Sequence, residues 1–475
     1  MSEVERDRAG SAGSHAKSLI KTTGIFAVGT FGSKILTLLV IPLCTHYIAT
    51  ADMGVYDMVY TVVALLQPIA ILAIPESLFR WIIDSKADKR AVYSTWLTLF
   101  AVLSAVFTIV FWACWLVFGF SDAALMYALV ILSCLYQSFQ YGTRGLHNNR
   151  LFAVSGILYA MAYCAACFVL VIVLNAGYRG LLYAMLIATV IASVLLLAAQ
   201  RELRSFASSG IDRTLAKEML RYSLFLLPNQ LSWWAMTMLC RLIIVGFMGY
   251  SANGIFSVAM KFPSALTMIS TIFTPAWQEQ AISLFDSGEK DAYFSKVFNQ
   301  YAVLLLTLLV PGVPLTKLFV EVAMDPAYYS CFDVVAVLYL GAAVNALSGF
   351  VGVLYLCAKD TKGAASTTIL GAVVNTVLSV SLVPFAGLMG AALGNLFGNA
   401  VILGARLHQT RKYCSLRVQW VKCFCYTALV IIVSLTTAVL HSFASVAVFT
   451  FVCIAVFAAV NRKSAKTLFD FAKRR

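Results

Sequence analysis

The sequence predicts an all-α integral membrane protein of about fourteen transmembrane helices, arranged as two pseudo-symmetric six-helix bundles with two further helices at the C-terminus. Three observations predict it. Hydrophobic residues make up 61% of the 475 residues and charged ones 12%, with mean hydropathy +0.87, whereas soluble domains are roughly one-quarter charged. Nearly all Lys and Arg fall in every second connection between apolar segments. Short patterns from the first half recur in the second.

A hydrocarbon core about 30 Å thick takes roughly 20 residues at 1.5 Å rise each. On that ruler the first seven spans are Leu19–Leu43, Val55–Ile83, Val92–Phe118, Ala123–Gly145, Phe152–Leu174, Leu181–Ala199 and Tyr222–Val245. The remaining seven are Ala252–Ile282, Val297–Leu318, Phe332–Cys357, Ala364–Val383, Leu388–Leu407, Trp420–Leu440 and Phe443–Val460.

Basic residues precede span 1 (Arg6, Arg8, Lys17, Lys21) and follow every even-numbered span, from Lys86, Lys89 and Arg90 to Arg406, Arg411, Lys412, Arg417 and Lys422 and the C-terminal tail. The opposite connections hold only Arg179 and Lys317. By the positive-inside rule both termini are cytoplasmic, which agrees with an even number of spans. The net charge of +14 is therefore a topology signal that requires no nucleic acid, and the basic loops suit contact with anionic membrane lipids.

The halves are related by Gly54-Val55-Tyr56 with Pro75, repeated at constant offset as Gly254-Ile255-Phe256 with Pro275. Ala176-Gly177 followed by Gly180 likewise recurs as Ala386-Gly387 followed by Gly390. Parallel repeats of this kind occur in transporters with a central site. The expected organisation is a cytoplasmic tail (1–18), an N-terminal bundle (19–200), a cytoplasmic linker (201–221), a second bundle (222–408), two extra transmembrane helices (409–461) and a basic cytoplasmic tail (462–475). Gly390, Gly394 and Gly398 mark one helix face for close packing. Pro228, Pro263 and Pro275 are expected to bend spans 7 and 8.

Several functions find no support. No cleavable signal pattern precedes span 1. Cys164 and Cys167 form a C-x-x-C, but within an apolar span and without a second pair, so they read as small apolar residues and no metal or cofactor is expected. A phosphate-loop motif is absent, and the outer connections are too short for an enzyme's acid–base cluster.

Ionisable residues at membrane depth cost about 2.5–3.5 kcal/mol each at mid-bilayer, so they are expected to face a bundle interior or a watery cavity. They are Lys34 in span 1, Asp57, Glu76 and Arg80 in span 2, Arg241 in span 7, and Lys261 and Glu279 in span 8. Glu76 and Arg80 stand four apart in the order that favours mutual neutralisation, and Arg80 is equally a candidate substrate-binding cation. Lys34, Arg241 and Lys261 have no acid three or four positions away, and are read as cavity-facing cations converging on an anion. Phosphate suits them, Lys as a compact charge and Arg as a planar fork. Trp233, Trp234, Trp277 and Gln278 are candidates for stacking on and hydrogen bonding to sugars. Asp57, Glu76 and Glu279 are candidate coupling or charge-pair acids.

Gly29-Thr30-Phe31-Gly32-Ser33-Lys34 with Pro42, Gly54, Tyr56 and Pro75-Glu76-Ser77-Leu78-Phe79-Arg80 resembles the start of bacterial polysaccharide flippases of the multidrug/oligosaccharidyl-lipid/polysaccharide exporter superfamily. A second block is similar to the same family: Pro228-Asn229, Trp233-Trp234, Arg241, Gly249, Ala252-Asn253-Gly254, Lys261, Pro263, Ala276-Trp277-Gln278 and Phe294-Ser295-Lys296-Val297-Phe298. The resemblance implies a V-shaped exporter fold in the bacterial cytoplasmic membrane. It implies translocation of an undecaprenyl-diphosphate-linked oligosaccharide to the outer leaflet, with polysaccharide polymerase and glycosyltransferases as partners. Two positions depart from the pattern: Cys240 stands where an Asp often precedes the span 7 Arg, and Met260 where an Asn often precedes the span 8 Lys. The loss of that Asp predicts a less neutralised Arg241. A multidrug/cation antiporter of the same fold is the alternative, although cationic drugs favour an acidic cavity. A membrane polysaccharide polymerase fits less well.

Overall fold

Eleven helical stretches among the described residues are long and apolar enough to cross a membrane. The computed structural model describes residues 40, 42–83, 88–200, 212–285, 288, 290–358 and 360–473, so Lys34 lies outside the described residues. Two of the eleven, Met238–Leu284 and Lys362–Lys412, contain 47 and 51 residues. Straight, each would extend roughly 70 Å or more, over twice the hydrocarbon thickness. Each is instead interrupted at a glycine.

In chain order the helices are α1 (Thr50–Ala70), α2 (Ile74–Ile82), α3 (Lys89–Phe118), α4 (Ala123–Gly145), α5 (Asn149–Cys167), α6 (Gly177–Ala199) and α7 (Arg213–Ala259). They continue as α8 (Lys261–Leu284), α9 (Lys290–Ala323), α10 (Phe332–Cys357), α11 (Thr361–Gln409), α12 (Trp420–Val439) and α13 (Phe443–Lys473). This is the all-α membrane architecture that the apolar runs predict.

The chain divides into two compact units. One takes in Val59–Trp234, the other Ala49–Met58 together with the chain from Ala235 onward. In the second unit, α11 breaks at Gly387, where φ is 58°, a conformation that glycine adopts without a Cβ penalty. Its two limbs then run antiparallel with little between them. A Cβ on Gly390 would meet Leu382 C at 2.5 Å, one on Gly394 would meet Ser379 Oγ at 2.5 Å, and one on Gly398 would meet Asn375 Cβ at 2.7 Å. The glycine stripe is thus a packing seam inside a hairpin. Gly177 begins α6 in the first unit with φ 56°, matching Gly387 in both sequence pattern and conformation.

Span 2 departs from the expected continuous helix. Leu72 and Ala73 adopt left-handed φ values of 47° and 55°, and the chain restarts as α2 with Pro75 in its first turn. Proline lacks an amide donor and clashes with the carbonyl four residues back, so the helix ends before it and a new one begins. Pro75 is therefore a helix start, and the strained pair ahead of it is the junction.

Two basic residues counted with the connections, at the ends of predicted spans 9 and 12, are buried inside the protein. Lys317 belongs to α9 and Arg406 to the last turn of α11. The Lys317 ammonium donates to Thr437 O at 2.8 Å and Leu440 O at 2.7 Å, the carbonyls that α12 leaves open at its C-terminus. A cation is favoured at that end of a helix dipole.

Candidate functional site

The second unit carries a buried ionic cluster built on a crossing of α1 and α7. Thr50, Gly54 and Asp57 share one face of α1 by their four- and three-residue spacing. A Cβ on Gly54 would lie 1.7 Å from Tyr250 O, and one on Gly254 would lie 1.9 Å from Thr50 O. The two glycines of the repeated Gly-x-aromatic pattern thus admit each other's backbones reciprocally. Thr50 Oγ1 and Ser251 Oγ, 2.6 Å apart, close the contact.

One turn along, Arg241 Nε lies 3.2 Å from Asp57 Oδ2, with both side chains about nine-tenths buried. Asn253 Nδ2 donates to the same oxygen at 3.2 Å and to Gly54 O at 3.1 Å. Arg241 and Asn253 are 12 residues apart, about 18 Å along a straight helix. Both reach Asp57 because α7 breaks between them at Gly249, where φ is 83°.

The pair corrects the reading of Arg241 as a cation without an acid. The position before it is Cys240, and its carboxylate comes from α1, 184 positions earlier. Local spacing conceals such a pair. Lys261 opens α8, half-buried, directly after the Ala259 end of α7. Gln278 is half-buried and Glu279 exposed on the same helix, and Glu279 makes no ion pair among the described residues.

Trp277 is also corrected. It is 3% exposed, its ring stacks on Phe350 at 4.0 Å and meets Phe294 edge-on at 5.0 Å, and Nε1 donates to Phe350 O at 3.0 Å. Neither a face nor the N–H remains for a sugar. It anchors the core of this unit.

The first unit holds Glu76, Arg80, Trp233 and Trp234. Glu76 lies in the first turn of α2, where the helix dipole favours an acid, and Oε1 accepts a 2.6 Å hydrogen bond from Gln230 Nε2. Arg80 is exposed one turn later. The expected Glu76–Arg80 pair does not form, because the carboxylate turns toward Gln230 on α7. Trp234 donates through Nε1 to Thr61 O at 2.9 Å, while Trp233 stays 44% exposed.

Arg406 is a buried cation that sequence reasoning missed. Nη1 donates to Ser348 O at 2.8 Å, Nη2 to Thr368 Oγ1 at 3.0 Å and Nε to Thr367 Oγ1 at 3.3 Å. No carboxylate pairs with it among the described residues. The available signal was the adjacent Thr367-Thr368, an unusual polar pair in an apolar run.

The family model of polysaccharide biosynthesis proteins matches residues 19–278, more than half of the chain. The chain belongs to that family. The match bears out the resemblance carried by the two motif blocks, and its range includes Lys34, Asp57, Glu76, Arg80, Arg241 and Lys261. No curated protein sequence matches the chain.

Solved structures share the fold of this family member. The lipid II flippase MurJ in an inward closed conformation superposes with a TM-score of 0.67 at 12% identity, covering 93% of this chain and 99% of that one. An outward-facing multidrug resistance MATE family transporter of the MOP superfamily gives 0.57 at 15% identity, covering 87% and 96%. A MOP superfamily transporter from Pyrococcus furiosus, described as having a binding pocket of reverse polarity, gives 0.56 at 14% identity, covering 83% and 96%. At these identities the likeness establishes the fold.

Proposed function

We propose that the protein is a flippase that moves an undecaprenyl-diphosphate-linked oligosaccharide from the cytoplasmic to the outer leaflet for surface polysaccharide synthesis. It works by alternating access in the bacterial cytoplasmic membrane, with both termini cytoplasmic. The observation that carries the reading is the polysaccharide biosynthesis family match over residues 19–278, the stretch that holds Lys34, Arg80, Arg241 and Lys261. In this reading Lys34, Arg80, Arg241 and Lys261 attract the diphosphate, and Trp233, Trp234 and Gln278 contact sugar.

The Asp57–Arg241 pair gives the binding step a physical form. A buried cation stripped of its acid costs several kcal/mol, so Arg241 is held by Asp57 until an incoming phosphate supplies replacement charge. Asp57, Glu76 and Glu279 are the coupling or charge-pair acids of this reading. Outward movement of a diphosphate runs down an inside-negative potential, worth about 2.3 kcal/mol per uncompensated charge per 100 mV.

The test is reconstitution of the purified protein in proteoliposomes, following both translocation of a lipid-linked oligosaccharide and efflux of a cationic dye. Sugar-lipid flipping that slows when the potential is collapsed is expected. Dye efflux without flipping would favour the antiporter of the same fold and overturn the proposal.

A further inference from the structure

A cavity of about 700 Å³ in the second unit lies where the starts of α9 and α12 meet the end of the apolar stretch of α13, and its walls include Asp291, Lys296, Asn299, Arg417, Lys422 and Asn461. This is the end of the helices that carries the basic connections. Three cations face one acid.

The cavity is built rather than merely charged. The backbone of Arg417 is clamped on both sides, its N–H donating to Ser295 Oγ at 2.9 Å and its carbonyl accepting from Asn299 Nδ2 at 2.8 Å. Asn299 Oδ1 accepts from Gln419 N at 2.8 Å, so one buried amide fixes the segment that leads into α12. Asn461 is buried against Thr307 Oγ1 at 2.9 Å and ties α13 to α9. The chain thus spends buried hydrogen bonds to hold a cation-bearing loop at a fixed place.

Beside the charges lies apolar surface. Trp420, Val421 and Phe424 of α12 are 52%, 76% and 68% exposed, and Val456 and Val460 of α13 are 38% and 39% exposed. Tryptophan at the start of a span is the usual membrane-interface residue. A ligand that satisfies both surfaces carries an anionic head at the interface and an acyl chain in the bilayer.

We infer that this cavity binds the phosphate-bearing head of an anionic phospholipid, with Arg417, Lys422 and Lys296 as its cations. The inference does not rest on the proposed flippase activity. It concerns a lipid held on the flank of one unit, and its test reads binding alone.

The experiment measures, by native mass spectrometry of the purified full chain, retention of phosphatidylglycerol against phosphatidylcholine, alongside the unfolding midpoint with each lipid. The expected result is preferential retention of, and stabilisation by, phosphatidylglycerol. Arg417→Gln with Lys422→Gln should weaken that preference roughly thirty-fold, about 1 kcal/mol for each cation removed. Arg417→Lys with Lys422→Arg keeps the charges and should keep the preference, which guards against a folding defect in the first variant. Arg150→Gln with Lys217→Gln removes two cations elsewhere and should change nothing. Equal retention of the two lipids, the same loss from the remote variant, or full stabilisation by inorganic phosphate alone would overturn the assignment.

Discussion

Arg241 and Arg406 are equally buried, each 8% exposed, and the second unit neutralises them in opposite ways. Arg241 meets a carboxylate 3.2 Å away on α1. Arg406 is cradled by one carbonyl and two hydroxyls. The hydroxyls around Arg406 already donate within α11, Thr367 to Gly363 O and Ala364 O, and Thr368 to Ala364 O. Removing that arginine strands nothing charged, whereas removing Arg241 strands Asp57. A cation that rests on a neutral cradle is a fixed structural member. One that rests on an opposite charge can exchange partners, which is what a transport cycle requires.

The comparison breaks most visibly in single substitutions of the pair. Arg241→Gln and Asp57→Asn are each expected to cost about 3–5 kcal/mol, the cost of an uncompensated buried charge. The double variant should recover much of that loss while remaining inactive in flipping. Thermal unfolding and abundance of the four proteins check this; additive losses would show that the two residues are energetically independent. Arg406→Met is expected to cost less, about 1–3 kcal/mol, because it loses charge-assisted hydrogen bonds but strands no charge, and to leave transport intact.

A smaller pair of substitutions sharpens the contrast through the glycines that admit each arginine's surroundings. A Cβ on Gly54 would sit 1.7 Å from a backbone carbonyl oxygen, so Gly54→Ala must push α1 and α7 apart and loosen the Asp57 contact. About 1–3 kcal/mol of destabilisation is expected, with impaired flipping. A Cβ on Gly352 would meet Arg406 Nη1 at 2.7 Å, the far end of a flexible side chain, so Gly352→Ala should cost less than Gly54→Ala in the same unfolding assay.

The smallest effect belongs to an exposed ion pair. Asp360 caps α11 by accepting from Gly363 N at 2.9 Å, and also accepts from Tyr413 Oη at 2.9 Å and Lys412 Nζ at 3.2 Å. The Gly363 amide, then Tyr413 and Lys412, hold its carboxyl below the usual carboxylate range. A depressed folded pKa contributes stability above the unfolded pKa, and the contribution is lost as pH falls through the folded value. Asp360→Asn should therefore flatten only the acid limb of the stability–pH profile below about pH 4, and Lys412→Gln should be close to silent, as exposed pairs generally are.

The spans, their order and the close-packed face at Gly390, Gly394 and Gly398 were legible because apolar run length and glycine spacing are local properties. The Ala-Gly steps at Gly177 and Gly387 were legible as an internal repeat, but the left-handed φ that both glycines adopt was not. Nor was that of Leu72 and Ala73, since neither residue type advertises a positive φ and only the following Pro75 hinted at a restart. Arg406 and Lys317 fell inside the ends of predicted spans but were counted with the connections, because a charge near a span's end reads as a topology signal, while a long side chain can turn back into the protein. The Asp57–Arg241 pair needed a tertiary crossing to exist at all. Trp277 carried the composition of a sugar platform and the surroundings of a core.

Lys317 has a consequence in time. Its ammonium is satisfied by Leu440 O, 123 residues further along the chain, and at about 5–20 residues per second that acceptor emerges roughly 6 to 25 seconds after the lysine itself. During insertion the side chain must wait with Glu321, 3.6 Å away in the folded protein, as its only ion-pair partner among the described residues. The end of α12 therefore completes the burial of a charge already made, and a ribosome that stops before Leu440 releases a chain in which the Lys317 ammonium of α9 still lacks that acceptor.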